Sequence, residues 1–127
     1  MNKIFAIILL LSFLWGKPTE WSFEQNLALQ KDELFTASIT TGENPRDFSL
    51  RWTLFKKDGV VMLLKYDGFV HQFILYPDIQ RNSFVLRLDG AREDSALRVV
   101  FKGFEEGVAS FWLGVEGDAL FAPSNQE

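Results

Sequence analysis

Apolar and polar residues alternate along most of this chain, and the alternation has period two. From Trp21 to Gln30 the apolar residues Trp21, Phe23, Leu27 and Leu29 fall on odd positions, whereas Ser22, Glu24, Asn26 and Gln30 fall on even ones. Successive side chains of a strand point to opposite faces, so this spacing predicts an antiparallel strand with one buried and one wet face. Phe35, Ala37 and Ile39 repeat the pattern after a turn over Lys31–Glu33. The segment Thr41–Arg46 reads as a loop, with Gly42 and Pro45 as breakers.

Phe55–Pro77 holds two Asp-Gly pairs between long apolar runs. Such a pair signals a two-residue hairpin, because a type I′ turn puts both central residues at positive φ. A turn at Asp58-Gly59 sets Phe55 opposite Met62 and Thr53 opposite Leu64. A second turn at Asp67-Gly68 sets Tyr66 opposite Phe69, Leu64 opposite His71 and Met62 opposite Phe73. One face of this meander then carries Phe55, Val60, Met62, Leu64, Tyr66, Phe69, Phe73 and Leu75. The other carries Phe48, Leu50, Trp52, Leu54, Val61, Leu63, Val70 and Ile74. With both faces apolar, these strands are expected at the centre of the molecule, covered on two sides.

Further strands are expected near residues 83–89, 96–102 and 108–116. A loop over Gly90–Ser95 pairs Leu88 with Leu97, Leu86 with Val99 and Phe84 with Phe101. A tighter turn around Glu105 pairs Leu97 with Leu113, Val99 with Phe111 and Phe101 with Ala109. About eight short strands joined by short turns predict an all-β fold, a small antiparallel meander forming a sandwich or a partly open barrel.

The first residues break the alternation. Lys3 is followed by the apolar run Ile4–Trp15, interrupted only by Ser12. A membrane-spanning helix needs roughly 18 or more apolar residues, so the run is short for a span and has the form of a secretory signal peptide. Cleavage is expected after Gly16, although Leu14 stands where a small residue is usual, and an uncleaved anchor is the alternative. The expected organisation is a signal peptide over 1–16, a single β domain over 17–122 and a flexible tail over 123–127. That organisation places the protein in the periplasm or outside the cell, with no stable membrane span after cleavage.

Composition narrows the chemistry. There is no cysteine, which excludes disulfides, thiolate metal sites, cysteine nucleophiles and a lipid-modified N-terminus. The domain must therefore be held by its core, and the eleven phenylalanines beyond residue 16 supply large apolar areas for one. A net charge of −4, with scattered bases, lacks the electrostatic footprint of a nucleic-acid binder. His71, the single histidine, lies between Phe69 and Phe73 and reads as a core or boundary residue. Zinc would require further nitrogen or sulfur ligands. Glu93-Asp94 and Glu105-Glu106 fall in turns, where carboxylates are solvated. No nucleophile elbow, phosphate loop or calcium loop is present, so neither catalysis nor a cofactor or metal is expected. The Asp58-Gly59 and Asp67-Gly68 pairs are explained as structural turns.

One constellation suggests binding. The chosen pairing sets Arg87 opposite Arg98, and Arg98 opposite Trp112, on the face away from the core. Like charges directly across a ladder are unfavourable by up to ~1 kcal/mol, so stacking on the indole or an external anion should offset them. Arg87, Arg98 and Trp112 are therefore the candidate contact patch, of a composition found at interface hot spots.

The segment Asp58–Gln72, with Asp58-Gly59, Tyr66-Asp67 and Gln72, resembles a segment of the periplasmic lipoprotein carriers. Its spacing is slightly longer, and leucine stands where that family has tryptophan. The resemblance implies a sheet that shields a lipid or other hydrophobic ligand. Two functions are thus expected: a non-catalytic module binding another envelope protein, or a carrier of a hydrophobic ligand.

Overall fold

The computed structural model describes residues 21–88 and 95–124. The expected leader, its cleavage point, Glu93-Asp94 and the last three residues lie outside the described residues. Nine strands are described: β1 (Trp21–Gln30), β2 (Phe35–Thr41), β3 (Asn44–Lys56), β4 (Gly59–Tyr66), β5 (Phe69–Leu75), β6 (Ser83–Arg87), β7 (Ala96–Glu105), β8 (Val108–Glu116) and β9 (Leu120–Pro123). They form two antiparallel sheets, ordered β1-β8-β7-β6 and β5-β4-β3-β2-β9. Neither sheet closes on itself, so the fold is a sandwich rather than a barrel. The last strand carries the domain past Ala122: β9 pairs with β2 through Pro123, and the Ser124 N–H donates to Thr36 O at 2.9 Å.

Alternation decides what each sheet turns inward. Leu27, Leu97, Val99, Phe101, Phe111, Leu113 and Val115 from one sheet meet Ile39, Phe48, Leu50, Trp52, Val60, Met62 and Leu64 from the other, all buried. Burying such side chains contributes roughly 1.5–3 kcal/mol each, which a domain without disulfides requires. Trp52 also ties the sheets together, since its indole Nε1–H donates to Leu29 O at 2.8 Å. Aromatic stacks close the sides: Phe55 on Phe104 at 4.0 Å, and Phe73 on Phe84 at 3.9 Å.

Several expected pairings are corrected. The first hairpin turns at Lys57-Asp58, with φ of 54° and 65°, one residue before the Asp-Gly pair. Lys56 pairs with Gly59 and Phe55 with Val60 rather than with Met62. A bulge between Trp52 and Leu54 then exchanges the faces of β3. Phe48, Leu50 and Trp52 consequently face Tyr66, Leu64 and Met62 and belong to the one core, not to a second buried face. Among the described residues the meander is therefore covered on one side only. The second hairpin turns at Asp67-Gly68, φ 52° and 86°, with Tyr66, Leu64 and Met62 opposite Phe69, His71 and Phe73 as expected.

The segment Thr41–Arg46 is a tight hairpin through Gly42-Glu43, not a loop. Pro45 is tolerated in β3 because β4 pairs only from Phe48 onward, leaving β2 as its neighbour among the described strands. In the other sheet Leu86 pairs with Leu97 and Phe84 with Val99, while Leu97 pairs with Val115 and Phe101 with Phe111. These pairings are displaced from those expected by an even number of residues, so every inward residue stays inward.

Candidate binding surfaces

Arg87, Arg98 and Trp112 do share the outer face of the four-stranded sheet, but they do not form a row. Arg87 lies opposite Ala96, Arg98 lies between Val85 and Gly114, and Trp112 lies opposite Val100. The facing arginine pair is absent, and with it the repulsion that called for an external anion. Arg98 reaches towards β6 and donates to Ser83 Oγ at 3.4 Å. Trp112 is half-buried; its six-membered ring lies over Gly114, where any Cβ would collide with it. Its indole meets that of Trp21 edge-on at 4.9 Å and 83°. A ring that covers the backbone of a strand glycine replaces the side chain missing there, which gives Trp112 a structural task. Trp21 reaches this face through a bulge between Trp21 and Phe23.

Of the four turn residues, Asp58, Asp67 and Gly68 occupy positive-φ turn positions, whereas Gly59 opens β4 and is buried. Its place is a matter of space. A Cβ there would stand 2.8 Å from Tyr76 Cε1. Tyr76 is held in turn by Arg81, whose guanidinium lies 4.2 Å over the ring. Asp78 accepts from Arg81 Nε at 3.1 and 3.2 Å and pushes the guanidinium pKa further up.

His71 is half-buried, its ring 6.0 Å from Phe84. It borders a surface groove of about 260 Å³, with Arg46, Tyr66, Asp67, Phe69 and Arg87. Arg46 pairs with Asp67 there at 3.1 Å, so its charge is already answered within the groove. No group of three acidic or histidine side chains able to hold a metal ion occurs among the described residues. Glu105 and Glu106 lie exposed at the β7–β8 turn.

A different surface emerges on the outer side of the five-stranded sheet. Leu54, Val61 and Ile74 align across β3, β4 and β5; beside them run Arg51, Leu63 and Gln72, then Ser49, Lys65 and Val70. Leu34, just before β2, joins Arg51, Leu63, Lys65 and Val70 around a shallow groove of about 280 Å³. Leu34 is 50% exposed, Leu54 49%, Val70 63% and Ile74 49%. Leu54, Val61, Leu63, Val70 and Ile74 are expected from the alternation on a second buried face, and the structure corrects this. The bulge in β3 turns Leu54 outward, and no layer among the described residues covers this face. In comparisons with family models, curated proteins and solved structures, the chain matches none.

Proposed function

We propose that this protein is an exported, non-catalytic β-sandwich that acts by binding another polypeptide of the cell envelope. The main support is the outer face of β3–β5, where Leu34, Leu54, Val70 and Ile74 are about half-exposed or more, Leu54 and Ile74 flanking Val61 while Leu34 and Val70 share a groove with Leu63. Isolated exposed apolar residues are ordinary, but a contiguous patch on a soluble domain marks an interaction surface. Export is supported by Lys3, the apolar run Ile4–Trp15 and Gly16. Carriage of a lipid inside the fold has less support. Phe48, Leu50, Met62, Leu64, Phe111 and Leu113 fill the space between the sheets, so a ligand would have to bind on the outside.

The test places a photo-crosslinking amino acid at Leu63 on one outer face and at Val100 on the other, in living cells. Polypeptide adducts from either position are expected. Adducts of lipid alone, or none from either face, would overturn the proposal. Sequencing the exported protein from its N-terminus should begin at or near Lys17, and an intact Met1 would replace export by anchoring.

A further inference from the structure

We infer that the outer face of β3–β5 docks an acidic amphipathic segment of its partner, whose carboxylates lie against Arg51 and Lys65. This rests on the protein-binding function proposed above and specifies its site and the chemistry of its partner.

Charge placement carries the inference. The three outward rows hold Leu54, Val61 and Ile74; Arg51, Leu63 and Gln72; and Ser49, Lys65 and Val70. Two of these residues are cations and none is acidic; one carboxylate, Asp47, stands just beyond Ser49 and shares a second groove with it and Lys65. This is notable on a chain whose net charge is −4. Arg51 and Lys65 are exposed, and neither forms an ion pair within the described residues. Arg51 thus sits inside the apolar patch and Lys65 at its edge, near Asp47 without pairing with it, and both await partners from outside.

Their position also discriminates between occupants. Membrane-surface elements segregate an apolar face from a charged one, so that the apolar side can enter the acyl boundary while the cations stay with the headgroups. Here Arg51 lines the groove with Leu34 and Leu63 on either side, so inserting the leucines would carry the guanidinium in with them. A second copy of the chain fits no better. An isologous contact through this face would bring the two cations of one copy towards those of the other, against a single carboxylate from each, Asp47 at the edge of the patch. A segment that alternates leucine-like and carboxylate side chains satisfies both components at once. Burial of its apolar side chains supplies affinity, and desolvated charge pairs fix its register.

The experiment titrates the methyl-labelled protein with three probes, followed by NMR. These are a synthetic amphipathic peptide with leucine on one face and glutamate on the other, its lysine counterpart, and phosphatidylglycerol vesicles. Saturable shifts are expected at Leu34, Leu54, Val61, Leu63, Val70 and Ile74 with the glutamate peptide, weakening as salt is raised. Combining Arg51→Glu with Lys65→Glu should weaken that binding about tenfold or more while thermal melting stays unchanged, because both side chains are exposed. Ser38→Glu, on the polar half of the same face, should leave it unchanged. Equal binding of the lysine peptide, shifts confined to the Trp21–Trp112 face, binding to vesicles alone, or self-association of the protein would each overturn the inference. Polypeptide crosslinks from Val100 with silence at Leu63 would also overturn it, while leaving the protein-binding function standing.

Discussion

Gly59→Ala tests where the first hairpin turns and why glycine stands there. A Cβ at residue 59 would lie 2.8 Å from Tyr76 Cε1, 3.2 Å from Tyr76 Cζ and 3.1 Å from Ile74 Cγ2. Carbon atoms prefer about 3.5–4.0 Å, so the tyrosine ring must retreat by roughly 0.7 Å. The ring resists, because the Tyr76 N–H donates to Arg81 O at 2.9 Å and the Arg81 guanidinium caps its face. Tyr76 is nonetheless half-buried and can yield, which puts the overpacking near 2 kcal/mol, inside the usual range of ~1–3. Replacing glycine by alanine also lowers the entropy of the unfolded chain, offsetting about 0.7 kcal/mol. A net loss of about 1 kcal/mol should follow, a fall in Tm of roughly 4–8 °C for a domain of this size.

The decisive comparison is Gly59→Ala in a Tyr76→Ala background, measured by urea and thermal denaturation of all four proteins. With the ring gone, the alanine should be neutral or mildly stabilising, and the double-mutant cycle should show about 2 kcal/mol of coupling. If Gly59→Ala costs the same in both backgrounds, the penalty lies in the backbone. The turn would then be at Asp58-Gly59, and the pairing of β3 with β4 would be wrong. Lys57→Gly gives an independent check. A side chain at φ 54° costs about 1–2 kcal/mol, more than the ~0.5–1 of entropy that glycine loses, so this change should raise Tm.

Three further outcomes are expected. Trp52→Phe removes the indole bond to Leu29 O and should cost ~1–3 kcal/mol in urea denaturation; an unchanged midpoint would separate the two sheets' stabilities. Gly117→Ala forces a side chain into φ 95° and against the Ser95 backbone, and a loss of about 3 kcal/mol should appear in thermal melting. Trp112→Ala uncovers Gly114 and breaks the edge contact with Trp21, so a loss of about 1–2 kcal/mol is expected with a change in Trp21 fluorescence. A loss near zero there would free Trp112 for a partner and restore the arginine–tryptophan patch as a binding site.

What the sequence by itself determined was class and parity. Strand alternation is a local property, dictated by the backbone pleat, so β1 and β2 were legible down to their buried residues Leu27, Leu29, Phe35, Ala37 and Ile39. The Asp67-Gly68 turn was equally legible, because both its residues accept positive φ. Parity also explains why the β6–β7 and β7–β8 pairings could be displaced by an even step without misplacing Leu97, Val99, Phe111 or Leu113. Sliding one strand by two residues keeps every apolar side chain on its face, so the apolar pattern is blind to it. Arg87, Arg98 and Trp112 inherited that blindness: their common face was readable, their mutual contact was not. Only tertiary structure decided such contacts, along with the bulges and the layering. Nothing local marks Thr53 as an extra residue, yet its bulge carries Trp52 and Phe55 to the same core and turns Leu54 outward. Whether Val61, Leu63 and Ile74 lie beneath a second layer or in water depends on what else the chain can place over them. The second sheet covers the inner face alone, and that choice left the outer one on the surface of the described residues.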